Sequence, residues 1–110
     1  MSGQDLMNEL AAKVGLLDTA LRKLGERGRS HAQAERDYRV ALAQKILIER
    51  DKGTPVTIIS DICRGSAEIA AKKFARDCAE TNYDAAKEAI NTYKLQIRIL
   101  ENLLLCTEFL

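Results

Sequence analysis

Residues 66–107 read SAEIAAKKFARDCAETNYDAAKEAINTYKLQIRILENLLLCT and contain neither Gly nor Pro. Two columns of mostly apolar and aromatic side chains recur along this stretch every seven residues. The columns are Ile69, Arg76, Tyr83, Ile90, Ile97 and Leu104, and Ala79, Ala86, Tyr93 and Leu100. Steps of three and four residues bring both columns to one side of an α-helix, as in a coiled coil. The sequence therefore predicts one long helix over about residues 66–107 with a coiled-coil-like seam.

The N-terminal part of the chain shows similar spacing. Apolar residues follow each other at steps of three and four, at Leu6, Leu10, Val14, Leu17, Leu21 and Leu24. This spacing predicts a first helix over about residues 5–24. Two glycines fall within residues 25–30, and because glycine weakens a helix and Ser30 is a favourable N-cap, this segment is predicted as a hinge. A second helix is predicted over about residues 31–52.

The segment over residues 53–65 contains the only proline of the chain and a run of β-branched residues. A lone strand here would have no partner strand, so we predict a loop and a short helix. Val56, Ile59 and Ile62 are expected to cover one end of the helical core.

Composition agrees with an all-α protein. Apolar residues make up 46% of the 110 residues and charged residues 30%, with one Pro and no Trp. This is the composition of helical proteins, and the length suits one domain. We therefore predict a single domain over residues 1–110, an antiparallel bundle of two shorter helices on one long C-terminal helix.

The length of the last predicted helix indicates self-association. About 42 residues rise roughly 63 Å as a helix, whereas a compact chain of this size is only about 35 Å across. The helix must therefore kink or protrude, and a protruding apolar seam is most readily covered by another copy. The residues predicted to form this oligomer interface are Tyr83, Ile90, Tyr93, Ile97, Leu100 and Leu104.

No pattern typical of an enzyme is found. His31 is the only histidine, and no Ser, Cys or carboxylate stands at a spacing that would form a triad with it. Cys63, Cys78 and Cys106 are too few and too widely spaced for a zinc motif, and their odd number argues against a disulfide framework. We predict a non-enzymatic protein with no cofactor and no metal.

The chain also lacks the marks of export or membrane insertion. The first residues have neither a basic region nor a long apolar run, and no apolar stretch approaches the ~20 residues of a membrane span. These features and the unpaired cysteines predict a cytoplasmic protein with no membrane partner.

A local group of basic residues is the candidate ligand site. Arg64 and Ser66 stand at the start of the last predicted helix, whose unpaired N–H groups attract anions. Lys73 and Arg76 follow within three turns, so the four side chains are predicted to hold a phosphorylated ligand. In the competing interpretation, Ser66 only caps the helix while acidic neighbours pair with the basic residues.

Overall charge does not favour general nucleic-acid binding. The chain has 17 basic and 16 acidic residues, a net charge of +1. Such a balance gives no strong positive field, so any nucleic acid or nucleotide must be bound by a local patch.

Four segments of the chain carry a family resemblance. Residues 38–43 (YRVALA), 52–65 (KGTPVTIISDICRG), 74–77 (FARD) and 83–90 (YDAAKEAI) resemble small uncharacterised helical proteins encoded by phages and prophages of Gram-positive bacteria. The similarity covers residues 37–100, and the apolar ending over residues 103–110 differs from the polar tail of that family. The resemblance implies a phage accessory protein that binds host factors, phage replication or recombination proteins, or nucleotide signals of host defence.

Two functions are therefore predicted. The first is a homo-oligomeric helical binding or adaptor protein of a phage or prophage, acting on a host or phage protein in the bacterial cytoplasm. The alternative is sequestration of a nucleotide signal, or nucleic-acid binding in phage replication or recombination, through the basic site at residues 64–76.

Overall fold

A computed structural model describes residues 2–108 of the chain. These residues form three helices, α1 (Gly3–Asp51), α2 (Val56–Gly65) and α3 (Ala67–Glu108), and no strand. The all-α prediction is confirmed. Phe109 and Leu110, part of the apolar ending noted above, lie outside the described residues.

Helix α1 is one continuous helix of 49 residues, so the predicted hinge over residues 25–30 and the division into two shorter helices are wrong. A glycine inside a helix costs only about 1 kcal/mol relative to alanine. That cost is offset because a row of sheltered side chains continues across the segment at steps of three and four. Leu24, Arg27, His31 and Ala34 are all half-buried. Packing therefore holds the helix together where local propensity alone predicts a break.

The side chains of α1 that pack inward differ in part from the predicted stripe. Leu10, Lys13, Leu17 and Leu24 are half-buried and Leu6 and Ala20 are buried. Val14 and Leu21, which the prediction placed in the same stripe, are 50% and 49% exposed. The predicted stripe thus mixed the inward-facing row with residues of the neighbouring row.

A tight turn separates α1 from α2. Gly53 adopts a φ of 81°, a left-handed conformation that side chains other than glycine rarely adopt. Thr54 donates two hydrogen bonds back to Glu49, from its N–H to the carbonyl oxygen at 3.1 Å and from Oγ1 to Oε2 at 2.8 Å. Pro55 then precedes the first turn of α2, where its fixed φ is well suited. These contacts fix the direction in which the chain leaves α1.

Helix α2 buries only one narrow stripe. Ile59 and Cys63, one turn apart, are buried, whereas Val56 is 81% exposed and Ile62 41% exposed. Of the three residues expected to cover the core, only Ile59 does so. Ile59 and Cys63 stand four residues apart on one face of α2. Val56 lies on the same side but is the first residue of the helix, and it stays exposed.

Helix α3 runs unbroken for 42 residues, within one residue of the predicted bounds at either end. Ser66 precedes it in an extended conformation, and its Oγ accepts a hydrogen bond from the N–H of Ile69 at 3.4 Å. The same hydroxyl donates to the carbonyl oxygen of Cys63 at 2.8 Å. Ser66 thereby joins the end of α2 to the start of α3.

The chain packs as two compact units. Unit 1 combines residues up to 26 with residues from 83 onward, and unit 2 comprises residues 27–82. In unit 1 the two helix segments run antiparallel, since a Cβ on Gly3 would lie 3.9 Å from Thr107 Cγ2. Among the described residues of unit 1, the buried side chains are Leu6, Ala20, Ala86, Ile90 and Leu100. Those of unit 2 are Tyr38, Glu49, Ile59, Cys63 and Ile69.

Candidate functional site

Arg76 lies at the centre of a polar cluster in unit 2. Its Nε is 3.4 Å from Glu35 Oε2, and its Nη2 is 3.1 Å from Asp77 Oδ1. The guanidinium also stands 4.6 Å from the ring centroid of the buried Tyr38, a distance that allows a cation–π contact. The side chain of Arg76 is only 22% exposed. Arg76 therefore fixes α3 to α1 within this unit.

The carboxylates of this cluster have further cationic partners. Lys73 Nζ donates to Asp77 Oδ2 at 2.9 Å, and Arg39 Nε donates to Glu35 Oε1 at 2.6 Å. The hydrogen bond from Arg39, with the charge of Arg76, holds the pKa of Glu35 below its ordinary value. The hydrogen bonds from Lys73 and Arg76 lower the pKa of Asp77 in the same way. The cluster therefore contains two ionised carboxylates among three cations at neutral pH.

The predicted anion site is only partly brought together. The structure joins Lys73 and Arg76 through Asp77, but Ser66 is used in capping α3 and Arg64 is exposed at the end of α2. Within residues 2–108, no hydrogen bond or ion pair links Arg64 or Ser66 to either of the other two. Lys73 and Arg76 already face carboxylates, which is the arrangement expected in the competing interpretation.

The residues predicted to form the oligomer interface lie in the packed side of unit 1. Ile90 and Leu100 are 6% and 8% exposed, and the remaining four are half-buried: Tyr83, Tyr93, Ile97 and Leu104. The ammonium of Lys87 stands 4.1 Å from the ring centroid of Tyr83. A single chain thus shelters this seam by pairing it with α1, and other apolar side chains are left in contact with solvent.

One exposed set lies on α1. We call Met7, Ala11, Val14, Asp18 and Leu21 the α1 row; they follow each other at steps of four and three, and all are exposed. Met7, Val14 and Leu21 are 52%, 50% and 49% exposed, although each is large and apolar. The row lies directly beside the inward-facing row of the same helix, and its spacing is that of a second coiled-coil seam.

A second exposed set lies on α3. Leu95, Ile99 and Leu103, spaced one turn apart, are 55%, 50% and 47% exposed. Beside them is a cavity of about 200 Å³ lined by Glu9, Lys13, Gln96, Ile99 and Leu100. Gln96 Oε1 is buried there without a hydrogen-bond partner. Unit 1 therefore exposes large apolar side chains on both of its helices.

The burial of the Glu49 carboxylate is explained by its contacts near the turn between α1 and α2. It is 7% exposed and accepts the hydrogen bond from Thr54, while Lys45 and Lys52 each lie 3.6 Å from its Oε1. The hydrogen bond from Thr54 and the two lysines hold its pKa below the ordinary value. The residue anchors the turn between α1 and α2, and this role accounts for its contacts.

The cysteines and the other potential metal ligands of the described residues do not form a cluster. Cys63 is buried, and Cys78 and Cys106 are exposed free thiols. In the part of the chain that the structure describes, no group of three His, Cys, Asp or Glu side chains is arranged to hold a metal ion. No helical segment of residues 2–108 combines the length and hydropathy that crossing a bilayer requires.

Sequence reasoning found the seam of α3 but missed both exposed sets. The signal was present, because Met7, Val14 and Leu21 repeat every seven residues. The row was not recognised because each of these residues directly follows a residue of the inward-facing row. The predicted stripe therefore took residues from both rows.

Comparisons with protein-family models, with curated proteins and with solved structures find no match to this chain. The resemblance of four segments to phage and prophage proteins stays a prediction.

Proposed function

We propose that this chain is a non-enzymatic, homo-oligomeric helical protein that acts as a binding or adaptor protein. The observation that supports it most is the exposure of Met7, Val14 and Leu21 along one row of α1. Contiguous apolar side chains on a small protein typically mark a surface that another protein covers.

The size of unit 1 strengthens this argument. Its described residues supply two helix segments, and a pair of helices shelters only one side of each. Leu95, Ile99 and Leu103 on α3 add a second apolar surface to that of α1. One surface serves self-association in this proposal, and the other remains for a macromolecular partner.

The cellular setting of the proposal comes from the resemblance alone. Proteins of the resembled kind are encoded by phages and prophages, so we assign the chain to the cytoplasm of a bacterial host and its partner to the host or the phage. Its near-neutral net charge of +1 suits a protein partner better than a nucleic acid.

The alternative, binding of a nucleotide or nucleic acid, has less support. A phosphate group at Lys73 and Arg76 would compete with Asp77 and Glu35, which already contact these cations. Displacing a carboxylate from a guanidinium yields little net gain, since one anionic partner replaces another. Arg64 alone is a single exposed charge.

The solution mass tests the proposal directly. Light scattering on a sizing column is run with and without cyclic and linear nucleotides and short DNA. A multiple of the monomer mass that no nucleotide alters supports the adaptor function, whereas a monomer at every concentration would refute it. A nucleotide that elutes with the oligomer, and is lost when the more exposed cation is reversed in Lys73→Glu, would favour the alternative.

A further inference from the structure

The cavity of unit 1 brings together side chains from both of its helices. It has a volume of about 200 Å³ and is lined by Glu9 and Lys13 of α1 and by Gln96, Ile99 and Leu100 of α3. All of these residues belong to one compact unit. The cavity is therefore a feature of a single chain, whatever its oligomeric state.

Lys13 occupies a position that the rest of its row fills with apolar side chains. It stands on the inward-facing side of α1 between Leu10 and Leu17, and all three are half-buried. Lysine is rarely sheltered in this way unless an anion pairs with its ammonium. Among residues 2–108, no carboxylate forms an ion pair with Lys13. The cavity is therefore lined by a cation that lacks an anionic partner.

Gln96 and Glu9 bring hydrogen-bond acceptors to the same cavity. Gln96 Oε1 is buried and accepts no hydrogen bond from the described residues. A buried acceptor costs stability unless water or a ligand donates to it. Glu9 is half-buried on α1, and its side chain likewise makes no hydrogen bond or ion pair within the described part of the chain. Two acceptor groups thus lie beside the cation.

No pairing within the cavity satisfies all three groups. Glu9 and Lys13 stand four residues apart, a spacing at which helical ion pairs form, yet such a pair gives Gln96 Oε1 no donor. Water satisfies the amide but brings no charge to the carboxylate or the ammonium. A small ligand that carries both an ammonium and a carboxylate meets all three groups at once.

The size and the apolar lining of the cavity narrow the class of ligand. At ~30 Å³ for each water-sized group, the space holds roughly seven non-hydrogen atoms, fewer than the sites of drug-sized ligands hold. Ile99 and Leu100, 50% and 8% exposed, add an apolar surface to the polar groups. A free valine, leucine or isoleucine is of about this size and combines an apolar side chain with both charges.

We propose that this cavity binds a free α-amino acid with an apolar side chain, such as L-leucine. Lys13 Nζ donates to the carboxylate of the ligand, while Gln96 Oε1 and the Glu9 carboxylate accept hydrogen bonds from its ammonium. The apolar side chain of the ligand packs on Ile99 and Leu100. The site lies within one chain, so it goes beyond the proposed function and does not depend on self-association.

An NMR titration of the full chain with L-leucine tests the site. We expect saturable shifts of the backbone amide and methyl signals of the residues that line the cavity, as leucine is raised through the millimolar range. Isocaproate, which lacks the ammonium, and isoamylamine, which lacks the carboxylate, are the matched probes. Each is expected to bind at least about tenfold more weakly, because each loses charge-assisted hydrogen bonds.

Three variants assign the binding groups. Lys13→Met removes the ammonium but keeps a long side chain in the inward-facing row, and Lys23→Met, at an exposed position of the same helix, is its control. Gln96→Leu removes the buried acceptor without adding a charge. We expect Lys13→Met and Gln96→Leu to weaken leucine binding at least about tenfold and Lys23→Met to leave it unchanged. Circular dichroism, expected to match the wild type in all three, checks the fold.

The contrary outcomes are distinct. A titration without saturable shifts overturns the site. Equal binding of leucine and isocaproate, or of leucine and isoamylamine, overturns the recognition of both charges. Equal weakening by Lys13→Met and Lys23→Met overturns the placement of the ligand in this cavity. None of these results changes the solution mass, so failure of the amino-acid site is distinguishable from failure of the homo-oligomer.

Discussion

The guanidinium of Arg76 lies 4.6 Å from the ring centroid of Tyr38 and 3.4 Å from Glu35 Oε2, so one side chain of α3 holds an aromatic ring and a carboxylate of α1. The ring shields the cation from water, and Glu35 and Asp77 balance its charge. Arg76 therefore has a structural role in unit 2, and its substitution is expected to lower stability.

We expect Arg76→Glu to lower the melting temperature by several degrees, because three carboxylates would then meet beside Tyr38. Arg76→Met is expected to lower it less, since a flexible apolar chain still packs on the ring. Thermal unfolding followed by circular dichroism measures both. Arg36→Glu, at an exposed position of α1, is the control, and an equal effect of all three variants would contradict the role of Arg76.

Acidification should destabilise the folded chain. The pKa of Glu49 is held below its ordinary value of 4.5, first by the hydrogen bond from Thr54, and those of Glu35 and Asp77 are also lowered. The unfolded chain therefore takes up protons first, and the stability that these groups contribute at neutral pH is lost progressively as pH falls below about 4.5. Melting temperatures between pH 7 and pH 3 measure this loss.

The variant Glu49→Gln isolates the contribution of the Glu49 charge to this pH-dependent stability. It is expected to be less stable than the wild type at pH 7, and the difference should shrink as the pH falls below about 4.5 and Glu49 takes up a proton. The exposed Glu101→Gln provides the comparison. A difference for Glu49→Gln that is independent of pH would show that its charge does not contribute.

The same substitution should have opposite effects at two glycines. Gly15 lies within α1 with no atom within 4 Å of an added Cβ, so Gly15→Ala is expected to stabilise the chain by about 1 kcal/mol through helix propensity. Gly53 has a φ of 81°, and Gly53→Ala is expected to destabilise it by about 1 kcal/mol because a side chain strains this conformation. Urea unfolding measures both, and effects of equal sign would contradict the two backbone assignments.

The three thiols should differ in reactivity. Cys63 is fully buried, while Cys78 and Cys106 are exposed. A thiol reagent is expected to modify two cysteines rapidly in the native protein and the third only on unfolding. Cys63→Ser, which leaves the rapid phase unchanged, identifies the slow thiol. Rapid modification of all three in the native wild type would contradict the burial of Cys63.

The sequence was sufficient to predict the helices where periodicity is strong. The bounds of α3 follow from the absence of Gly and Pro and from the capping hydroxyl of Ser66. The continuity of α1 across Gly25 and Gly28 could not be predicted from local propensity, because it depends on packing of side chains such as Leu24 and His31. Predicting this packing requires knowing which helix lies alongside α1 at these positions.

The candidate sites, too, could be predicted only where their residues are close in sequence. The proximity of Lys73, Arg76 and Asp77 follows from helical spacing, but the contact of Arg76 with Glu35 and Tyr38 joins residues about 40 positions apart. The exposed α1 row was visible as a heptad repeat. Its exposure could not be recognised before the neighbouring row was known to face inward.

The division of the chain at residues 26 and 82 also bears on the order in which it folds. Unit 2 is continuous in sequence, so its helices meet after short loops are closed. Unit 1 joins the beginning of the chain to its end, and closing a long loop costs more conformational entropy than closing a short one. Once unit 2 has formed, most of that loop is already ordered, so pairing of the segments near Gly3 and Thr107 becomes a local event. We therefore expect the two segments of unit 1 to pair last, and to separate first when the folded protein opens.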